Sequence, residues 1–146
     1  MADTPAPEWW FYHLSRTTLE QAAAPLMAKC LEAGWRVLAV SPNAERRAAL
    51  DAALWTYEDK SFLPHGQAEA PGLDAKRQPI LLSAKAENVN GAAALVLMDG
   101  VEVPVDAPYT RCMVMFDDGD SGARTKARAQ FKAAKDAGLV TRYFQQ

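Results

Sequence analysis

Carboxylates and then cations crowd the stretch FDDGDSGARTKARAQFKAAKD, residues 116–136. Asp117, Asp118 and Asp120 follow the apolar run RCMVMF, and carboxylates at the C-terminal edge of a strand are a sound place for a hard cation. The same three residues also precede a helical segment, where acids cap free N–H groups and complement the helix dipole. A cation cage needs more ligands than this run supplies, so capping is the simpler account. Within the helix, Arg124, Arg128 and Lys132 are spaced four apart and stack on one face, flanked by Phe131 and Lys135. Such a stripe can hold a peptide that is acidic and hydrophobic at once. An arginine grips a carboxylate through two parallel hydrogen bonds, and the ring supplies an apolar wall. On spacing alone, a solvated charged face with Phe131 turned inward explains the pattern more simply.

Other chemistries are excluded by pattern. The chain has no G-x-x-x-x-G-K-[ST] and no G-x-G-x-x-G, so the common phosphate-cradling loops are missing. No G-x-S-x-G elbow occurs. The two histidines, His13 and His65, fall on a predicted strand and a loop, and without a positioned partner neither is a general base. The Asp-x-Asp of Asp118 and Asp120 superficially resembles the acidic motif of the Toprim fold, which holds Mg²⁺ for phosphoryl transfer. That family also needs a glutamate on an earlier strand in a Glu-Gly setting, and no such pair is present. A Mg²⁺-dependent phosphoryl-transfer enzyme centred on Asp118 and Asp120 is therefore the alternative reading. The favoured expectation is no metal, no cofactor and no catalytic residue.

The elements that must position these residues can be placed along the chain. WWFYHLS (9–15) is aromatic and strand-like. TTLE (17–20) fits a capping box between Thr17 and Glu20. A helical face follows through Leu19, Ala23, Leu26, Cys30 and Ala33 to a terminating Gly34, with Pro25 predicting a kink or a later start. WRVLAV (35–40) is a strand. The next helix opens with Ser41 as N-cap and Pro42 at its first position. A polar Gly/Pro-bearing stretch, 66–78, is expected to be an exposed loop. Strands then follow at 79–84, 93–99 and 111–116, with a turn near Asp99-Gly100, and the last helix spans 121–138. Strand and helix alternate, which points to one three-layer α/β/α domain over residues 1–146 with a mostly parallel central sheet. Residues 1–7 form a short flexible lead-in.

Composition sets the class. Of 146 residues, 49% are hydrophobic and 23% charged, an ordinary globular balance. No apolar run approaches the roughly 20 residues that span a bilayer, and MADTPAPEWW lacks the basic-then-apolar layout of a secretion signal. Cys30 and Cys112 stand apart in apolar surroundings, which suits two buried thiols in a reducing cytoplasm. The net charge of −2 argues against general nucleic-acid binding, yet it is unevenly spread. From residue 111 onward there are seven Lys/Arg against four Asp/Glu, so the chain ends in a basic segment able to meet an acidic partner.

LWTYEDKSFLPHG (54–66) carries more aromatic surface than a loop normally does. The second helix buries Leu50, Ala53 and Leu54, and Trp55 falls about 140° from Leu50 on the wheel, outside that face. With Phe62, Leu63 and Pro64 following, the segment suits either a protein contact or a satellite cluster folded over the sheet edge. The wheel leaves both open.

The segment LDAALWTYEDKSFLPHG resembles the corresponding part of the chi subunit of bacterial DNA polymerase III, a clamp-loader accessory protein. The carriers are Leu50, Asp51, Leu54-Trp55, Ser61-Phe62, Pro64 and His65, joined by FYHL, LEAGWRVLAV, SPNAERRAALD and ARAQFKAAKDAG. The resemblance covers most of the chain, with residues 67–110 and the extreme C-terminus matching only loosely. It implies a non-enzymatic α/β adaptor in the cytoplasm. Its partners would be the acidic C-terminal tail of single-stranded DNA-binding protein and, on a second surface, the clamp-loader psi subunit or a helicase, with DNA met only indirectly. Carried over, the tail site comprises Arg128 with Arg124, Phe131 and Lys132. The second surface comprises Trp55 and Phe62, shaped by Pro64 and His65. The family often has an apolar residue after the last strand where this chain has Asp117 and Asp118. It often has a C-terminal aromatic wall, for which Tyr143 and Phe144 are the candidates here.

Overall fold

A computed structural model of the chain describes residues 7–55, 65–68 and 74–146. Phe62, Pro64, most of the lead-in and residues 69–73 of the expected loop lie outside the described residues. The elements run β1 (Glu8–Leu14), α1 (Leu19–Glu32), β2 (Val37–Val40), α2 (Ala44–Trp55) and β3 (His65–Gln67). A 3₁₀ turn (Ala75–Arg77) leads into β4 (Ile80–Ser83), β5 (Ala94–Leu97), β6 (Arg111–Asp117), α3 (Ser121–Asp136) and β7 (Thr141–Gln145). The strands form one sheet in the order β3-β4-β2-β5-β6-β1-β7, and every pairing is parallel.

Alternation along the strands divides the core in two. One face carries Tyr12, Leu14, Val37, Ala39, Met113 and Met115 and is covered by α1 and α2. The other carries Trp9, Phe11, Leu38, Val40, Val114 and Phe116 and is covered by α3 and the segment 101–107. Because β2, β4 and β5 are buried on both faces, their sequences read as unbroken apolar runs. This is the mostly parallel α/β architecture expected from the strand–helix alternation.

Several local expectations are corrected. The capping box lies one residue on, between Thr18 and Gln21: Thr18 Oγ1 accepts from the Gln21 amide, and Gln21 reaches back to the Thr18 amide. Glu20 instead binds Arg46 of α2. The helix begins at Leu19 and continues through Pro25, whose missing N–H leaves the Gln21 carbonyl without its usual donor, so Pro25 does not mark a later start. Gly34 ends α1 in the left-handed conformation (φ 83°), with the Trp35 amide closing back on the Cys30 carbonyl. Ser41 does not cap α2. Asn43 Oδ1 accepts from the amides of Glu45 and Arg46, while the Ser41 hydroxyl donates to Asp99. The 66–78 segment is not all loop, since His65–Gln67 adds the edge strand β3. The chain also ends in a further strand, β7, paired with β1.

One guanidinium ties several of these pieces together. Arg46 reaches Glu20 on α1, Asp99 after β5 at 3.2 Å, and Asp117 at the end of β6 at 3.6 Å. Burial works against its charge, yet the bonds from Asp99 and Glu20 hold its pKa above the ordinary arginine value.

Candidate functional site

The basic stripe of α3 faces the outer strands of the sheet, where it closes a groove of about 170 Å³. From the helix come Arg124, Ala127, Arg128 and Phe131, the i, i+3, i+4, i+7 set of one face. Phe11 and His13 come from β1, Phe116 from β6 and Tyr143 from β7. Register brings the strand residues together: Phe11 pairs with Tyr143, and His13 with Phe116. The rings pack mostly edge to face, with Phe11 to Phe131 at 5.1 Å and Phe131 to Tyr143 at 6.4 Å between centroids. His13 lies flat on Phe116 at 4.9 Å.

The polar side of the groove is a short network. His13 Nε2 lies 2.6 Å from Asp118 Oδ1, and Nδ1 contacts the Tyr143 hydroxyl. With Asp118 ionised, Nε2 carries the proton and Nδ1 accepts from Tyr143. Arg124 donates to the Asp118 carbonyl at 3.2 Å and lies 3.5 Å from its carboxylate. The hydrogen bond from His13 above all, helped by the neighbouring Arg124 cation, holds the Asp118 carboxyl below the ordinary value against burial, which pushes it up. Burial pushes the Tyr143 phenol up, Asp118 adds to that, and Arg128 and Arg124 oppose it. Among the described residues, Arg128 has no carboxylate in salt-bridge reach.

The acidic run is accounted for residue by residue. Asp120 caps α3 by accepting from the Ala123 amide at 3.0 Å. Asp117 points to the opposite sheet face, toward Arg46, and Asp118 is held by His13 and Arg124. Among the described residues no three His, Cys, Asp or Glu side chains are grouped to hold a metal ion. Consecutive residues at a strand end point to opposite faces, so the DD pair cannot act as a joint ligand set without a bend.

Of the stripe residues, Arg124, Arg128 and Phe131 meet in the groove. Lys132 is exposed one turn further along, outside the lining, and Lys135 instead sits over the Phe131 ring at 5.3 Å. Tyr143 is the C-terminal aromatic that walls the groove; Phe144 turns to the other sheet face, stacked on Tyr12. Phe11, His13 and Phe116 join the site without being singled out by the sequence pattern. The alternation in FYHL places Phe11 and His13 on one face, but only the register of three strands sets them beside the helix.

The second candidate surface lies at the other end of the sheet. Trp55 is the last residue of α2 and is 57% exposed, so it is no part of the core beneath Leu50 and Leu54. His65 sits on β3 rather than in a loop, with its side chain buried. It contacts Asp51 at 2.9 Å and meets the Trp55 ring edge-on at 5.5 Å. Asp51 and Trp55 are one helical turn apart, so together they hold the imidazole and fix the indole outward. Phe62 and Pro64 fall outside the described residues.

Cys30 and Cys112 are both buried thiols, with Cys112 pushed up to about 12 by burial and Cys30 raised for the same reason. Among the described residues, no helix is long and apolar enough to cross a membrane.

Comparison with known proteins agrees with this architecture. Residues 7–142 match a family model described as "DNA polymerase III chi subunit, HolC". A protein of Rickettsia prowazekii (strain Madrid E) named "Probable DNA polymerase III subunit chi" is 28% identical over 92 residues, covering 63% of this chain and 54% of that protein. The chain thus spans about half the length of that curated relative. The family match runs from the start of β1 into β7 and so contains all three helices and the stripe of α3: this chain belongs to the DNA polymerase III chi subunit family.

Proposed function

We propose that the chain is a non-catalytic adaptor of DNA replication that captures the acidic C-terminal tail of single-stranded DNA-binding protein in the α3 groove. The observation that carries this is Arg128, a cation that meets no carboxylate among the described residues, at the rim of an aromatic pocket. A cavity of about 150 Å³ holds a benzene ring, so about 170 Å³ suits one apolar side chain of a tail. Arg128 would take a tail carboxylate in a charge-assisted bond, with Phe131, Phe11 and Tyr143 around the apolar group. Asp118 would repel an acidic ligand, but His13 and Arg124 screen it. Lys132 and Lys135 would attract further acidic residues of the tail from outside the groove.

The exposed Trp55, held by His65, is the anchor of the second surface, which would take the clamp-loader psi subunit or a helicase. The adaptor would thus work in the cytoplasm with two protein partners, no cofactor, and DNA met only through them.

The test is a titration of isotope-labelled protein with a synthetic tail peptide at low and high salt. Shifts should centre on His13, Arg128, Phe131 and Tyr143, and affinity should fall as salt rises. Shifts confined to other surfaces, or binding indifferent to salt, would overturn the assignment.

A further inference from the structure

On the face of the sheet opposite the α3 groove lies a larger one, about 720 Å³, between α1 and the outer strands. Its floor is Trp10 and Tyr12 of β1 with Phe144 of β7, and its rim is Pro25, Leu26 and Lys29 of α1. Trp35 and Arg111 close one end. Both the register and the alternation separate it from the site above. Trp10 and Tyr12 point to this side where Phe11 and His13 point to the other, and Phe144 to this side where Tyr143 points to the other.

Arg111 is the unexplained feature. Its guanidinium lies 3.7 Å from the Trp10 ring centroid and 4.9 Å from that of Trp35. Its Nε is buried with no hydrogen-bond partner, and among the described residues no carboxylate pairs with it. Glu8, opposite Arg111 in the strand register, accepts from the Trp10 indole N–H at 3.2 Å and makes no salt bridge to Arg111. Arg142 adds a second guanidinium over Trp10 at 5.4 Å, and Lys29 a third cation at the rim. The buried Nε is out of a ligand's reach, so a bound anion would meet the terminal nitrogens of Arg111 and supply the counter-charge that no carboxylate among the described residues gives it.

We infer that this groove docks a peptide segment of a partner protein that carries one carboxylate flanked by apolar side chains. The carboxylate takes the open edge of the Arg111 fork, and the apolar side chains lie along Tyr12, Phe144, Pro25 and Leu26. A volume of about 720 Å³ falls in the range of ligand-binding clefts. A nucleic-acid strand fits less well, because it needs open ring faces for base stacking and a track of cations. Here the guanidinium groups already sit over the Trp10 and Trp35 rings.

Selection of a random-peptide display library against Arg128→Ala protein, in which the α3 groove is disabled, tests this. The expected result is enrichment of peptides with Asp or Glu beside apolar residues. Synthetic copies should bind Arg111→Gln and Lys29→Glu variants at least tenfold more weakly, and Glu→Gln copies should lose affinity to the same degree. Lys29 is exposed, so its variant serves even if Arg111→Gln fails to fold. Three outcomes would overturn the inference: no enrichment, peptides whose affinity ignores both substitutions, or an oligothymidylate probe that binds in an Arg111-dependent way while peptides do not.

Discussion

Arg124 and Arg128 lie one turn apart on the same face of α3, yet only one of them is already engaged within the protein. Arg124 donates to the Asp118 carbonyl at 3.2 Å and neighbours its carboxylate, whereas Arg128 has no carboxylate in reach among the described residues. A ligand carboxylate meeting Arg128 displaces no existing bond. Removing Arg128 by Arg128→Ala should therefore cost about 2 kcal/mol of tail affinity, or roughly 30-fold in Kd. Arg124→Ala removes a cation that the ligand must share with Asp118, a partly exposed pair, and should cost only about 0.5–1 kcal/mol. Folding stability should stay within about 0.5 kcal/mol in the Arg128 variant, since Arg128 is exposed and no salt bridge or hydrogen bond among the described residues is lost. Asp118→Asn should tighten the tail, because it removes a negative charge and releases Arg124 and His13. Calorimetric titration of a tail peptide against all three variants at one ionic strength measures this ordering. Equal losses at the two arginines, a larger loss at Arg124, or a weaker tail in Asp118→Asn would each refute the idea that the Asp118 contacts set the ranking. Acidification should not imitate Asp118→Asn at mild pH. The depressed Asp118 value means that its contact with His13 is complete above the ordinary carboxylate value near 4 and is lost only as pH falls below it.

Arg46→Met leaves Glu20, Asp99 and Asp117 facing one another without their shared cation, and should destabilise the fold by about 2–3 kcal/mol at pH 7. Urea unfolding should show that loss shrinking as added salt screens the three carboxylates; a loss indifferent to salt would mean that only packing had been removed. Cys112, at about 12, and Cys30, also raised by burial, should not react with Ellman's reagent at pH 8 in the native protein, but both should react in urea. Rapid native reaction of either thiol would contradict its burial.

The helices and central strands are legible because burial on both faces writes unbroken apolar runs, as in VLAV and ALVL, and one-sided burial writes a helical period. The edges are not. β7 reads TRYFQ, exposed along much of its length, and β3 is three residues long, so neither carries an apolar run. The two misplaced helix starts share one cause. Thr17 with Glu20 and Thr18 with Gln21 fit a capping box equally well, and Glu20 is withdrawn by Arg46, 26 residues away. Ser41 loses its capping role to Asp99, 58 residues away and in the same network. Local rules cannot see such long-range claims on a side chain. The site divides in the same way: the α3 half follows from spacing within one helix, whereas Phe11, His13, Phe116 and Tyr143 need the pairing of three strands.

The strand β7 supplies Tyr143 to one groove and Phe144 to the other, on consecutive residues. A side-chain period of two means that a one-residue slip of β7 along β1 would exchange the two rings across the sheet. Tyr143 would lose His13, and Phe144 would lose Tyr12, in one event. The register of β7 on β1, from Trp9 opposite Thr141 to His13 opposite Gln145, is thus what keeps the two grooves chemically distinct.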